Sequence, residues 1–256
     1  MKSKKNNFNL IGLQQRLKGG ILSGGDLIIA IGSSFLGTPY QAGTLDAPGK
    51  EKLIVNFHQF DCTTFVETIL ALSRCAEHGK LASGKFRREL RFIRYRVGKM
   101  SGYSSRLHYF TDWLRDNQQK KIIQDISKRL DGELRRRKLN FMTAHRGLYD
   151  ALKNETEFEK MRQAERNLSR KAFYIVGKDK IGAIKSQIQN GDIIAFPSNQ
   201  EGLDVAHVGF AFWSGKNLHL LHASGKEGGV VISTKTLIAY LKQNKKYSGI
   251  IVSRPI

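Results

Sequence analysis

Cys62 is the residue whose type and position most directly indicate chemistry. Residues 61–77 carry apolar side chains at steps of three and four, which predicts a helix. Asp61 is a suitable N-cap, because its carboxylate can accept hydrogen bonds from the unpaired amides of the first turn. Cys62 would then begin the helix, where free amides and the helix dipole stabilise a thiolate nucleophile. The alternative is a buried structural cysteine.

The second cysteine, Cys75, lies deeper in the same predicted helix and lacks these features, so we interpret it as structural. A rise of about 20 Å along the helix separates it from Cys62. A disulfide requires Cα atoms within about 7 Å, so the two thiols are predicted to stay unpaired.

Two histidines of the last third supply a possible base and a group to orient it. The runs 207–213 and 218–224 predict a hairpin. If residues 213 and 218 pair across the turn, His207 and His222 fall on one face as diagonal neighbours, with side-chain bases about 7–8 Å apart or less. Gly209 and Ala211 share that face, which predicts that a helix packs closely there. A base with a second polar group to orient it forms a catalytic site once a nucleophile is placed next to the base.

A metal site is the competing interpretation of the histidines. His219 and His222 are three residues apart, but on a strand this spacing places them on opposite faces. A His-Glu-x-x-His helix, the usual zinc signature, does not occur. We therefore predict no metal and no cofactor. The order Cys62, His207, His222 is that of papain-like enzymes, although spacing alone does not transfer between families.

The chain is strongly basic. Its 256 residues include 43 Lys and Arg against 22 Asp and Glu, a formal charge of +21. Such an excess indicates anionic surroundings or an anionic partner: nucleic acid, an envelope surface or an acidic peptide. The basic residues form short scattered clusters without a recognisable nucleic-acid motif, so we predict no nucleic acid partner. A solvated basic surface is the plain alternative.

Membrane insertion is not expected. No run of about eighteen apolar residues occurs, which excludes a spanning helix. The start of the chain is basic, but the apolar stretch that should follow is interrupted by Gln14, Gln15, Arg16 and Lys18, which makes a poor secretory signal. Either the protein stays inside the cell or its leader has been removed.

Helices precede strands along the chain, which indicates an α+β protein. We predict one domain over 1–256, in which 83–190 is a mainly helical insertion between the Cys62 helix and the sheet. The other predicted helices cover 10–37, 86–97, 107–114, 148–168 and 237–242, and the predicted strands cover 172–176, 192–196, 207–213, 218–224, 229–233 and 249–253. Residues 41–60 are predicted to form a loop with a short extended piece at 53–56.

Five segments together resemble the NlpC/P60 superfamily of cell-wall cysteine hydrolases. They correspond to the nucleophile motif, the strand before the base, the base motif, the third catalytic position and the segment that carries an active-site tyrosine. In this order they are Phe60–Glu67, Gly191–Phe196, His207–Phe210, Leu221–Ala223 and Leu36–Tyr40.

The sequence is more similar to one branch, the N-acetylmuramoyl-L-alanine amidase-like proteins. The branch marks are 37–45, 61–67, 103–113 and 202–207, and the resemblance runs from about residue 25 to the end. Thr63 stands where serine is usual in the superfamily, and the branch shares this departure and the long insertion.

The resemblance implies a papain-like fold and hydrolysis, without a metal, of the amide that joins the lactyl group of N-acetylmuramic acid to L-alanine in peptidoglycan fragments. By analogy Cys62 attacks the carbonyl, His207 takes and returns the proton, and His222 orients His207. The Cys62 amide and the Tyr40 hydroxyl would stabilise the oxyanion.

Six further residues are candidate substrate contacts: Asp61, Thr63, Arg106, His108, Asp112 and Asp204. A polar cluster within the aromatic segment 103–113 suggests a wall of the cleft, although a charged outer helix face would look the same. Asp204, in a predicted loop before the base, contacts substrate or caps the strand.

Other functions stay open. An endopeptidase that cuts the stem peptide between D-glutamate and a diamino acid would use the same motifs, as would a thiol-dependent acyltransferase. A non-enzymatic basic protein that binds nucleic acid or an anionic envelope polymer would show salt-dependent binding and an unreactive thiol. A peptidoglycan substrate favours the periplasm or cell envelope, and the weak signal leaves the cytoplasm open.

Overall fold

An antiparallel sheet organises the part of the chain that the computed structural model describes, residues 12, 13, 22, 24–46, 49–77 and 81–256. Its strands are β1 Ile123–Asp125, β2 Glu133–Arg136, β3 Ala172–Gly177, β4 Ile193–Pro197, β5 Val205–Ser214, β6 Asn217–Ser224, β7 Gly229–Ile232 and β8 Gly249–Pro255. They lie in the order β2-β3-β8-β4-β5-β6-β7, with β1 also on β8. The α+β class is confirmed.

Helices cover both faces of this sheet. They are α1 Gly24–Ser33, α2 Cys62–Glu77, α3 Ser83–Arg94, α4 Phe110–Gln119, α5 Phe141–Ala144, α6 Glu155–Ser169, α7 Ile181–Ile184 and α8 Leu237–Gln243. The predicted Cys62 helix and the five strands of the last third are confirmed to within two residues at each end. Most of the helix predicted over 10–37 lies outside the described residues before α1, and 53–56 lies in a loop, as predicted.

The hairpin of β5 and β6 has the predicted register. Trp213 pairs with Leu218, and pairing continues to Phe210 and Leu221. The turn is tighter than expected, because Ser214 already pairs with Asn217 and only two residues connect the strands. Gly215 adopts φ 56 there, which a glycine tolerates without a steric penalty.

The two faces of the sheet bury different helices. Helix α2 packs on one face, where the rings of Phe65 and Phe210 make edge contact with centroids 6.0 Å apart. Ala211 belongs to the core of the other face, together with Leu237 of α8. A helix thus shares the core with Ala211, as predicted, but that helix is α8, and the Cys62 helix packs on the opposite face. The alternate positions of β5 carry larger apolar side chains, which bury more surface against α2.

The insertion is less purely helical than predicted. Strands β1 and β2 lie within it and pair with β8 and β3, so the insertion extends the sheet. The helix expected over 148–168 begins only at Glu155, where the Asn154 side chain caps it by accepting from the amide of Glu157. Short 3₁₀ turns at 146–148 and 150–153 precede it.

A buried ion pair fastens the insertion to the Cys62 helix. Arg94 of α3 donates from Nε to Glu67 of α2 over 2.6 Å and from Nη1 to the carbonyl of Ile54 over 2.6 Å. The indole N–H of Trp113 in α4 donates to the other oxygen of Glu67 over 3.2 Å. These bonds fix α2 between the insertion and the sheet. No helix in the described ranges is long and apolar enough to cross a membrane.

Candidate active site

The first turn of α2 is capped as the sequence predicts. The Thr64 amide donates to Oδ1 of Asp61 over 2.7 Å, and the Asp61 amide donates to the Thr64 hydroxyl over 3.0 Å. The Thr63 amide also bonds to the Asp61 carboxylate. These bonds leave the amide of Cys62 as the first-turn donor that Asp61 does not use.

The thiol of Cys62 reaches strand β5 at the residue that follows His207. Regular pairing of β5 with β6 stops at Phe210 and Leu221, and in a continued ladder the amide of Val208 would face Ala223. The Val208 amide is instead hydrogen-bonded to the thiol of Cys62, which the Thr63 hydroxyl also contacts. The interrupted ladder thus lets a thiol from the α2 face reach the backbone of the strand that carries His207.

His207 and His222 form a directly bonded pair, as their shared face predicts. Nε2 of His207 lies 2.6 Å from Nδ1 of His222, with the rings nearly perpendicular. Phe196 of β4 stacks on His207 at 5.8 Å between centroids. Gly209 makes room for the pair, because a Cβ at this position would lie 2.7 Å from Cβ of His222.

The outer nitrogen of His222 has an incomplete environment. Its Nε2 is buried without a hydrogen-bond partner among the described residues, and the carboxylate of Glu227 lies 3.7 Å away. A buried polar atom without a partner costs free energy, so such atoms are uncommon in folded proteins. This nitrogen is on the same ring as the one bonded to His207, and it faces the carboxylate of Glu227.

Burial dominates the pKa values of the three groups. It raises the pKa of the Cys62 thiol to about 12, and the Asp61 carboxylate acts in the same direction. Burial lowers the pKa of His207 to about 3 and that of His222 to about 4. The resting site therefore holds a thiol and neutral imidazoles. The lost hydration thus opposes the thiolate that the helix amides favour, and the thiolate as the attacking species stays a prediction.

Tyr40 lies beside the thiol. Its strand-like segment bridges to Phe60, and its ring packs near Gly225, where an added Cβ would lie 3.2 Å from the ring. Burial raises the pKa of Tyr40 to about 12, with the nearby Cys62 and Asp61 acting in the same direction. The phenol thus stays protonated and can donate a hydrogen bond, as the oxyanion role requires.

Arg106 and His108 have partners outside the thiol–imidazole cluster. The Arg106 guanidinium pairs with Asp46 at 2.9 Å and Glu51 at 3.3 Å. His108 donates from Nε2 to the Tyr103 carbonyl over 2.8 Å. The Arg106 ion pairs join the loop before α2 to the insertion, and a substrate contact by Arg106 or His108 stays a prediction.

Asp112 and Asp204 are also engaged. Asp112 pairs with Arg96 at 2.6 Å within the insertion. Asp204 accepts from the amide and hydroxyl of Thr111 over 2.6 and 2.8 Å, and from the Val205 amide over 2.7 Å. Its carboxylate thereby caps the N-terminus of α4 and ties the insertion to the strand of His207. The predicted substrate contacts of Asp61, Thr63, Asp112 and Asp204 stay predictions.

Comparison with known proteins identifies the family. A family model described as AmiA-like, N-acetylmuramoyl-L-alanine amidase-like, matches residues 30–250. The chain belongs to this family. No curated protein matches the chain.

Solved structures resemble this member of the amidase-like family along nearly its whole length. An N-acetylmuramoyl-L-alanine amidase from Bacteroides uniformis ATCC 8492 is 39% identical with a TM-score of 0.86, over 91% of this chain and 98% of the other. A Bacteroides fragilis protein provisionally named a xylanase is 42% identical with a TM-score of 0.83, over 88% and 99%. A Legionella pneumophila protein of family DUF1460, 24% identical with a TM-score of 0.73 over 96% and 93%, supports the fold alone.

Several residues around the site of this amidase-like protein were missed by sequence reasoning. The centroid of the Tyr240 ring of α8 lies 5.8 Å from that of His222 and 6.5 Å from that of His207. The Tyr240 ring also stacks with Tyr247, with centroids 6.2 Å apart. Tyr240 and Tyr247 are both within electrostatic range of Cys62. Two tyrosines seven residues apart next to an apolar helix are an ordinary core pattern, so no local signal marks them. Among the described residues no cluster of three or more His, Cys, Asp or Glu is placed to hold a metal.

Proposed function

We propose that the protein is a cysteine amidase that hydrolyses the bond between N-acetylmuramic acid and L-alanine in peptidoglycan fragments. The observation that carries this proposal is the thiol of Cys62 at the amide of Val208, the residue that follows His207, whose ring is bonded to His222. A thiol, a base and a group that orients the base are the parts that acyl transfer through a thioester requires.

The bond between the imidazoles defines which nitrogen acts. Because Nε2 of His207 is bonded to His222, Nδ1 is left to take the proton of Cys62. His207 then carries its own proton on Nε2 and donates it to Nδ1 of His222, whose remaining proton on Nε2 faces Glu227. The positive charge that develops on His207 is stabilised through this chain.

The reaction proceeds in two acyl transfers. Sγ of Cys62 attacks the lactyl carbonyl while His207 takes the thiol proton, and the oxyanion is held by the Cys62 amide and the Tyr40 hydroxyl. The C–N bond breaks as His207 gives its proton to the amine of L-alanine, leaving a thioester. A water activated by His207 then releases the muramic acid carboxylate and restores the thiol.

Membership of the NlpC/P60 superfamily and a papain-like fold form part of the proposal. They are supported by the nucleophile at the start of a helix, the base on an antiparallel sheet and the chain order of the three groups. A glycosidase, which the name of one relative suggests, would use two facing carboxylates, whereas a cysteine thiol next to a strand that carries a bonded histidine pair suits amide hydrolysis better. We further propose a single catalytic domain, acting in the periplasm or cell envelope.

Mass spectrometry of defined muropeptides tests the proposal. The native protein, incubated in chelator, is expected to release the intact stem peptide from N-acetylmuramic acid, and Cys62→Ala is expected to release none. Cleavage within the stem would replace the amidase by an endopeptidase with the same nucleophile. Equal turnover by Cys62→Ala, or no turnover of any fragment by the native protein, would refute the cysteine amidase.

A further inference from the structure

A cavity beyond the catalytic pair has His207 in its wall. It measures about 340 Å³ and lies between the β6–β7 turn and helix α8 with the loop that follows it. Tyr240 and Glu227 contribute to the wall, and three lysines surround it: Lys226, Lys235 and Lys246. Its volume is in the range of sites that bind small ligands.

The proposed reaction places the leaving-group half of the substrate on the His207 side of the scissile bond. The amine that leaves must receive its proton from His207, so it lies within hydrogen-bond reach of that ring at the moment of cleavage. Under the proposed function the leaving amine is that of L-alanine, the first residue of the stem peptide. The rest of the stem therefore continues from His207 into the space that His207 borders.

The charges of the cavity suit an acidic peptide. Lys226, Lys235 and Lys246 carry three positive charges against the single carboxylate of Glu227 that lines the wall. Within the described chain, no Asp or Glu lies within 4.0 Å of any of the three ammonium groups, whereas Glu227 lies 3.7 Å from His222. The Lys235 ammonium instead contacts the Gln243 amide. The lysines are thus free to pair with anions that enter.

We propose that this cavity, the lysine pocket, binds the leaving stem peptide through its free carboxylates. The α-carboxylate of a γ-linked D-glutamate and the carboxylate of the following diamino acid are the anions that lie nearest to the released L-alanine amine. The inference rests on the proposed function and assigns the two halves of the substrate: peptide toward the β6–β7 turn and α8, sugar toward the opposite side of Cys62.

Muropeptides with free or amidated carboxylates distinguish recognition of the carboxylates by the lysine pocket from non-specific attraction between the basic protein and an acidic substrate. The triple variant Lys226→Gln, Lys235→Gln, Lys246→Gln is compared with a control that removes the same charge at exposed lysines elsewhere: Lys138→Gln, Lys185→Gln, Lys216→Gln. Muropeptides with free carboxylates are compared with the same compounds in which both carboxylates are carboxamides. The pocket variant is expected to lose about tenfold in kcat/KM on the acidic form and little on the carboxamide form, and the control should change neither.

Binding of the product peptide separates this inference from the proposed function. Calorimetry with L-alanyl-γ-D-glutamyl-diamino acid should show affinity that falls about tenfold in the pocket variant but not in the control. Lysine-dependent peptide binding without turnover of any muropeptide would overturn the amidase and leave the pocket assignment standing. Turnover with the same acid-to-carboxamide ratio in the native protein and the pocket variant would overturn the pocket assignment alone.

Discussion

Two buried polar clusters differ in how completely their groups are hydrogen-bonded. One is formed by Glu67 of α2 with Arg94 and Trp113, and the other by His207 and His222 of the sheet. Glu67 has both oxygens occupied by Arg94 and Trp113, and Arg94 also donates to a carbonyl. His207 and His222 share one bond, and Nε2 of His222 has no partner among the described residues. The saturated cluster holds elements together, whereas the incomplete one retains capacity to bind and move a proton.

Replacing the thiol should give the largest effect. Cys62→Ala is expected to lower turnover of muropeptides by about 10⁴-fold or more, because the residual rate then comes from binding and the oxyanion donors alone. The measurement is a single-turnover assay of stem-peptide release.

Cys75→Ala is the matched control on the same helix. Cys75 is buried in the core, so its loss should cost about 1–3 kcal/mol of unfolding free energy and leave turnover nearly unchanged. Comparable turnover losses in both cysteine variants would remove the distinction between a reactive and a structural thiol.

Breaking the saturated cluster should affect stability more than chemistry. Arg94→Met leaves the Glu67 carboxylate buried without its cation, which is expected to cost about 3–5 kcal/mol of unfolding free energy. Urea denaturation measures this loss. The double variant Glu67→Leu, Arg94→Met should recover most of it, since neither charge then remains. A double variant as unstable as the single one would show that the pair is not the cause.

The oxyanion role of Tyr40 predicts a smaller loss, confined to kcat. Tyr40→Phe removes one hydrogen-bond donor and should lower kcat about 10²-fold with little change in KM. Tyr174→Phe on strand β3 is the control, since this ring lies in the sheet beyond β8. An increase in KM at unchanged kcat would instead assign Tyr40 to ground-state binding.

The smallest expected effect is the dependence of the unfolding free energy on pH, which reports on the histidine cluster. The folded-state pKa values of His207 and His222, about 3 and about 4, lie below the ordinary histidine pKa of about 6.5. The unfolded chain therefore binds more protons below pH 6.5, so stability falls as the pH drops from there toward the folded values, by about 1 kcal/mol per histidine at pH 5.5. Denaturation between pH 7 and 5 measures it. His222→Asn should flatten the decline, and an unchanged slope in that variant would contradict the assignment.

Like stability, kcat/KM should fall as the pH drops. Because the imidazole of His207 remains neutral well below its ordinary range, the acid limb of kcat/KM is expected below pH 6.5. In His222→Asn this limb is expected to shift, because the His222 ring bonded to His207 sets the environment in which His207 titrates. A limb that stays at the same pH in both proteins would show that His207 is not the titrating base.

Local patterns were sufficient for much of the site. The apolar spacing of 61–77 and the cap Asp61 predicted the Cys62 helix, and the alternation of the hairpin placed His207 and His222 on one face. Strands β1 and β2 escaped prediction because they have three and four residues, and β2 is exposed throughout, so neither shows alternation. Their pairing depends on β3 and β8, far away in sequence.

The sequence by itself determined which side chains are reactive and which of them share an element, since helix and strand periodicity act over a few residues. Only the tertiary structure decided that α2 packs on the sheet face opposite the histidines and that the Cys62 thiol reaches the Val208 amide where the ladder of β5 and β6 stops. It also decided that burial keeps the resting pair neutral. These outcomes depend on competition for buried area and on hydration, which are properties of the assembled chain.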